Sequence, residues 1–190
     1  MTRLVVGVGG ASGAVYAQRL LGVLAARGDV EAHVVFSKMG RVVWHDEIGT
    51  DPADLGFPLY ASGDMAAAFA SGSARFDGMV VVPCSGGGLG RIAHGLSTDL
   101  VGRAADVCLK ERRPLLLVLR ESPYSLVHCR NMVAATEAGA TIIPASPSFY
   151  SRPGDLGAAV DTVVARVMDH LGLADHTLQP RWTGLQGGAA

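Results

Sequence analysis

Charge is scarce in this chain. Only 17% of its 190 residues are Asp, Glu, Lys or Arg, against about 25% in an ordinary soluble protein. A chain of this size needs a charged skin to stay dispersed on its own, so the deficit predicts that part of the surface is buried against further copies of the chain. The charge present is balanced, sixteen Lys and Arg against seventeen Asp and Glu, for a formal net charge of −1. That balance excludes a general nucleic-acid-binding coat. Long apolar runs are also missing. The longest, around 79–84 and 115–119, are far too short to cross a bilayer, and Met1-Thr2-Arg3 leads into a strand pattern with no signal-peptide core. Cysteine is sparse: Cys84, Cys108 and Cys129 are odd in number and form no CxxC pair, which argues against a disulfide framework and a zinc site. The expected compartment is the cytoplasm. No DDxxD cluster is available to hold magnesium and diphosphate, and His33, His94 and His128 share no metal-binding spacing, so no metal is expected and these histidines read as core or interface residues. Aromatics make up only 6%, yet an apolar share of 49% excludes disorder.

What is there is an alternation of strand and helix patterns. Leu4-Val5-Val6-Gly7-Val8 reads as a strand buried on both faces. Gly9-Gly10-Ala11-Ser12-Gly13 is a turn, Ala14 to Arg27 has helical apolar spacing, and Val30 to Phe36 is a second strand. Together they form a βαβ unit. Residues 46–63 read as loop and 64–70 as a short helix. Further strands are expected over 78–82, 114–119 and 141–143, with helices over 89–95, 99–110, 126–138 and 156–171. The expectation is a three-layer αβα Rossmann or flavodoxin-like sandwich with a mainly parallel five-stranded sheet. Residues 1–173 form its single domain, and the polar tail over 174–190 is expected to be mobile unless Trp182 docks on a neighbouring surface, which would leave it partly ordered at a subunit interface.

In parallel sheets of this kind ligands bind at the carboxyl ends of the strands. The first turn fails as a dinucleotide fingerprint, because Ser12 stands where G-x-G-x-x-G needs its last glycine. The second strand ends in Phe36-Ser37-Lys38 rather than in the acid that a ribose hydroxyl needs, so NAD is excluded, and no Walker lysine occurs. What remains is a small-residue turn opening a helix: either an anion site helped by the Ser12 hydroxyl, or a plain turn. Ser85 with Gly86-Gly87-Gly88 offers a helix cap and a main chain that a flat ligand can lie against, or simply a flexible loop. Arg120-Glu121 at a strand end can grip phosphate and serve as general acid or base, or form a surface ion pair. Arg103 and Lys110 fall two helical turns apart on one face, which lets both look into one cleft. Tyr150 and Arg152 end a loop. Arg166, a lone cation on an apolar helix, reads as solvated.

Taken in order, these motifs resemble the UbiX-like flavin prenyltransferases over residues 3 to 182. The resemblance is carried by Gly10-Ala11-Ser12-Gly13-Ala14, Ser37-Lys38, Ala70-Ser71-Gly72-Ser73, the run from Arg103 through Leu115, Arg120-Glu121-Ser122-Pro123, and Pro147 to Pro153. It implies an FMN-binding homododecamer that transfers a dimethylallyl group from dimethylallyl phosphate to N5 and C6 of reduced FMN. The product, prenylated FMN, serves a UbiD-type decarboxylase. It also implies that Gly10, Ala11, Ser12, Ser37, Ser85, Gly86, Gly87, Gly88 and Arg120 contact the flavin. Arg103, Lys110, Tyr150 and Arg166 would hold the phosphate, with Glu121, Ser12 and Tyr150 catalytic. The pattern departs from the family at two places. Gly88 stands where a threonine is usual, and Ala74 where an aromatic is usual, with Phe76 two residues on. Two alternatives are an FMN enzyme that decarboxylates a peptide C-terminal cysteine with a histidine base, and a flavin carrier without chemistry.

Overall fold

The computed structural model describes residues 1–181 and 184. Six strands, β1 (Thr2–Val8), β2 (Val30–Phe36), β3 (Leu59–Tyr60), β4 (Gly78–Cys84), β5 (Leu115–Leu119) and β6 (Thr141–Pro144), make one sheet in the order β3-β2-β1-β4-β5-β6. Every neighbouring pair is parallel. The order reverses direction between β1 and β4, and a crevice opens there at the strands' carboxyl ends. The helices are α1 (Ala14–Ala25), α2 (Lys38–Glu47), α3 (Gly86–Ala93), α4 (Leu100–Lys110), α5 (Leu126–Glu137) and α6 (Leu156–His170).

The strands are apolar on both faces because both faces are covered. Every residue of β4 and of β5 is buried. On one face Leu4, Val6 and Val8 of β1 meet Leu20, Leu21 and Leu24 of α1, Trp44 of α2, and Val160, Val163, Val164 and Val167 of α6. On the other, Val5, Met79, Val81 and Leu117 pack under Leu89 of α3, Ala104 and Cys108 of α4, and Ala135 of α5. The αβα sandwich is therefore as expected.

Three local expectations are corrected. The sheet has a sixth strand, because Leu59 and Tyr60 pair with Val34 and Val35 inside the stretch read as loop. The short helix expected over 64–70 is only a 3-10 turn at Ala68–Ala70. The glycine run is not a loop: Gly86, Gly87 and Gly88 form the first turn of α3. A helix follows Ser37, and the sequence pattern carried too few apolar positions to show it. The beginning of the tail is pinned, Arg27 joining Asp29 and Asp175, and Asp169 taking His176 and Arg181. Trp182, the expected docking residue, lies outside the described residues.

Candidate functional site at the carboxyl rim of the sheet

The turn after β1 is glycine-rich for reasons of packing. A Cβ on Gly9 would stand 2.4 Å from the Pro83 carbonyl oxygen, and one on Gly10 would stand 2.4 Å from Met39 Cβ. Gly13 precedes α1 with φ 109°, in left-handed backbone that favours glycine, and no side chain caps the helix locally. The cap comes instead from the end of α2. Glu47 Oε2 accepts the N–H of Gly13 at 2.8 Å and that of Ala14 at 2.7 Å. Partial burial works against that charge. Hydrogen bonds from Ser12, Gly13 and Ala14, with the positive field of Arg120, outweigh it and hold the carboxyl below its ordinary range. The anion expected at this helix end is thus one of the chain's own side chains, and Ser12 is tied to it. Sequence reading missed Glu47, which is exposed and far along the chain from the turn.

Arg120 leaves the end of β5 and faces the same turn. Its backbone N–H is held by the Cys84 carbonyl at 2.9 Å, and its Cγ would lie 4.0 Å from a Cβ on Gly13. Its charge also acts on Tyr16 from α1. Burial pushes that phenol up, and Arg120 pulls it partly back. Glu121 turns toward α3 rather than toward Arg120, so the two do not form the surface pair that was the bland alternative. Its Oε1 accepts the Ser122 N–H at 3.2 Å. A Cβ on Gly86 would meet Glu121 Oε2 at 2.8 Å and His128 Nε2 at 2.7 Å. His128 therefore sits beside the strand-end acid, not in the core.

Two further helix starts converge on the crevice. Ser37 caps α2 by accepting the Gly40 N–H at 2.9 Å, and Ser85 caps α3 by accepting the Gly88 N–H at 3.1 Å. Helix geometry leaves the N–H groups of Lys38, Met39, Gly86 and Gly87 without intrahelical partners. Gly9, Gly10, Ser37, Ser85, Gly88 and Arg91 line the pocket between these ends. A phosphate-bearing flavin fits this donor set: two positive helix ends, two serine hydroxyls and a guanidinium. The enclosed space is only about 30 Å³, so an isoalloxazine ring would lie across the rim, beside Ser12, Arg120 and Glu121.

The expected phosphate ligands are not gathered with these groups in one chain. α4 starts at the crevice with Asp99 and runs away from it for eleven residues, about 16 Å. It ends with Lys110 at the opposite, amino-end rim. Lys110 is paired there with Glu111 and lies against Gly72, while Arg103 reaches Ala70, so the two share the side of α4 that faces the loop of Ala70 and Gly72. Arg103 Nε holds the Ala70 carbonyl at 2.9 Å and its NH1 holds Asp106 at 3.0 Å. Arg166 pairs with Asp169 at 2.9 Å. Tyr150 is 79% exposed on the loop after β6. Phe76 does not replace the aromatic missing at Ala74. It is buried among His33 and Phe69, with Arg3 over its ring. His94 closes α3 and bonds Asn131, away from any strand end, and no described group of side chains has a metal-binding arrangement. Cys84, Cys108 and Cys129 are free thiols. No described helix is long and apolar enough to cross a membrane.

Comparison with known proteins agrees with this architecture. The Flavoprotein family matches residues 1–171. The flavin prenyltransferase UbiX of Deinococcus radiodurans is 50% identical over 175 residues, covering 90% of this chain and 89% of that protein. AnUbiX (PadA1), solved in complex with FMN and dimethylallyl pyrophosphate, superposes with a TM-score of 0.91 at 41% identity, covering 97% of this chain and 99% of that one. A dodecameric FMN-dependent UbiX-like decarboxylase from Escherichia coli O157:H7 gives 0.92 at 41% identity, over 96% and 100% of the two chains. The chain therefore belongs to the Flavoprotein family and, within it, to the UbiX-like flavin prenyltransferases.

Proposed function

We infer that the protein joins the dimethylallyl group of dimethylallyl phosphate to reduced FMN and yields prenylated FMN. The observation that carries this reading is the meeting of Ser12, Glu47 and Arg120 at the carboxyl rim of the sheet, with Glu121 on the α3 side of the same rim and two capped helix starts beside them. When bound, reduced FMN supplies the nucleophilic N5 and C6 and a π face for the allylic fragment. The chain's own residues do the rest. Ser37, Ser85 and the first turns of α2 and α3 hold the flavin phosphate. Arg120 would hold the ring at the rim and favour negative charge on it. The allylic C–O bond breaks with its electron pair on the leaving phosphate. Arg103, Lys110, Arg166 and the Tyr150 hydroxyl neutralise that charge without a metal. Forming the second bond needs a proton added to the fragment's remaining double bond and one lost from the ring carbon that attacks it. Glu121 would carry that exchange, and Ser12, bonded to Glu47, would stand ready to relay the proton lost when the first bond forms. Holding the two substrates together supplies much of the rate.

Lys110 and Arg166 lie away from the Arg120 rim of their own chain, so the complete site is built between copies. The low charge and the exposed Leu126, Val127, Val133, Phe149 and Leu156 support such an assembly, and a dodecamer is the assembly of one close structural relative. The recipient of the product is a UbiD-type decarboxylase, and the reducing cytoplasm suits the free thiols. The test is anaerobic mixing of the protein with reduced FMN and dimethylallyl phosphate. The expected outcome is a new flavin spectrum and a released flavin heavier by one dimethylallyl unit. Recovery of unmodified FMN rejects the reading.

A further inference from the structure

Gly86 is buried at the first position of α3, where the His128 imidazole and the Glu121 carboxylate both close on the place a Cβ would occupy. A residue with any side chain would separate them. The imidazole is not free to turn. Its Nδ1 accepts the Ser125 N–H at 3.2 Å, while Ser125 Oγ accepts the His128 N–H at 3.3 Å. This reciprocal pair opens α5. The usual residue at this third helical position is Glu or Gln. A histidine makes the same cap and has a second nitrogen to spare. A neutral imidazole that accepts at Nδ1 carries its proton on Nε2, and Nε2 is the atom on the Glu121 side. Glu121 is held from the other direction by the Ser122 N–H on Oε1, which leaves Oε2 for His128.

We propose that His128 is a positioning residue for Glu121. Its Nε2–H, aimed by the α5 cap, fixes the direction of Oε2 at the rim of the site. Both atoms stand within 3 Å of the place a Gly86 Cβ would take, so the imidazole reaches the carboxylate directly or through a water. The inference rests on the prenyl-transfer reading, in which Glu121 handles a proton. A carboxylate whose lone pairs already point correctly needs no reorientation before that proton moves. The sequence carries the signal as Arg120-Glu121 followed by Ser125-x-x-His128, a cap placed directly after the strand-end acid.

Three single variants of the full chain test it, assayed with reduced FMN and dimethylallyl phosphate. His128→Asn keeps an acceptor for the Ser125 N–H but is too short to reach toward Glu121. His128→Gln keeps both the acceptor and a reaching N–H. Ser125→Ala weakens the cap and leaves Nε2 in place. His128→Asn is expected to lower kcat by about tenfold or more, with KM for dimethylallyl phosphate and Tm unmoved. His128→Gln should restore most of the rate, and Ser125→Ala should lower Tm but not kcat. A His128→Asn protein turning over at the wild-type rate overturns the positioning role. So does a Ser125→Ala protein that loses as much kcat as His128→Asn, because the histidine would then act only through the helix. Wild-type protein that leaves FMN unchanged is a separate result, and it removes the prenyl-transfer reading together with this inference.

Discussion

Glu47 shows how one side chain ties the first turn to the rest of the site. It caps α1 from another helix, receives the Ser12 hydroxyl, and sits in the field of Arg120. Since folding lowers its pKa, its contribution to stability is fully present above about pH 4.5 and is lost as the pH falls through the lower folded value. Glu47→Gln keeps the shape but not the charge that both N–H groups share. It is expected to cost about 1 kcal/mol at neutral pH, the size of a lost cap discounted for an exposed carboxylate. Thermal melts of wild type and variant across pH check this: the gap should be widest above pH 4.5 and close in acid. A gap that persists unchanged in acid would mean that the amide fails for steric reasons. Arg120 and Glu121 were legible in the sequence because they stand directly at a strand end, and Ser12 because it lies in the turn that follows one. Glu47 was not, because its relation to Gly13 exists only once α2 is folded back over the turn, and nothing in its local pattern marks it.

At the scale of elements, legibility followed burial. β1, β4 and β5 are continuous apolar runs covered on both faces, and such runs announce themselves. α2 is mostly solvent-facing and buries only Gly40 and Trp44, so no apolar stripe marks it. β3 has two residues and pairs along one edge, too short for any periodicity. The glycine run misled for a different reason. Glycine is a poor helix former in isolation, but the first turn of α3 is anchored by the Ser85 cap, and Gly86 is required where His128 and Glu121 close in. α2 supplies Ser37 at one end and Glu47 at the other, and its main anchor is one aromatic: Trp44 is fully buried against Phe36, with its Nε1 donating to the Thr50 carbonyl at 3.0 Å. Trp44→Ala is therefore expected to cost about 3–5 kcal/mol and to loosen both ends of α2. Denaturant melts should show that loss, and FMN titration should show weaker binding even in variants that remain folded. Unchanged FMN affinity in a destabilised variant would place the flavin phosphate away from the Ser37 end.

For the whole molecule, what matters is that the residues proposed for the site are not all gathered within one chain. Arg120 and Glu121 stand at the carboxyl rim, Lys110 at the amino-end rim, and Arg166 on α6. Side chains on one rigid sheet sandwich cannot cross it, so the proposed cluster would be completed by the rim of one copy placed against another face of a neighbour. Exposed apolar residues on α5, Leu126 at 63% and Val127 at 61%, lie next to Ser125 and the Glu121 corner, where such a neighbour would seat. A composite site has a consequence that a self-contained one lacks. Lys110→Ala and Glu121→Gln proteins should each be inactive, because every site in either assembly lacks one part. When the two are unfolded together and refolded as a mixture, some sites draw Lys110 from one parent and Glu121 from the other, and prenylated FMN should appear. Mixing the assembled variants without unfolding should give none, which controls for exchange and contamination. If the co-refolded mixture is as silent as its parents while size measurements show that mixed assemblies formed, Lys110 and Glu121 serve the same site from the same chain, and the composite arrangement fails.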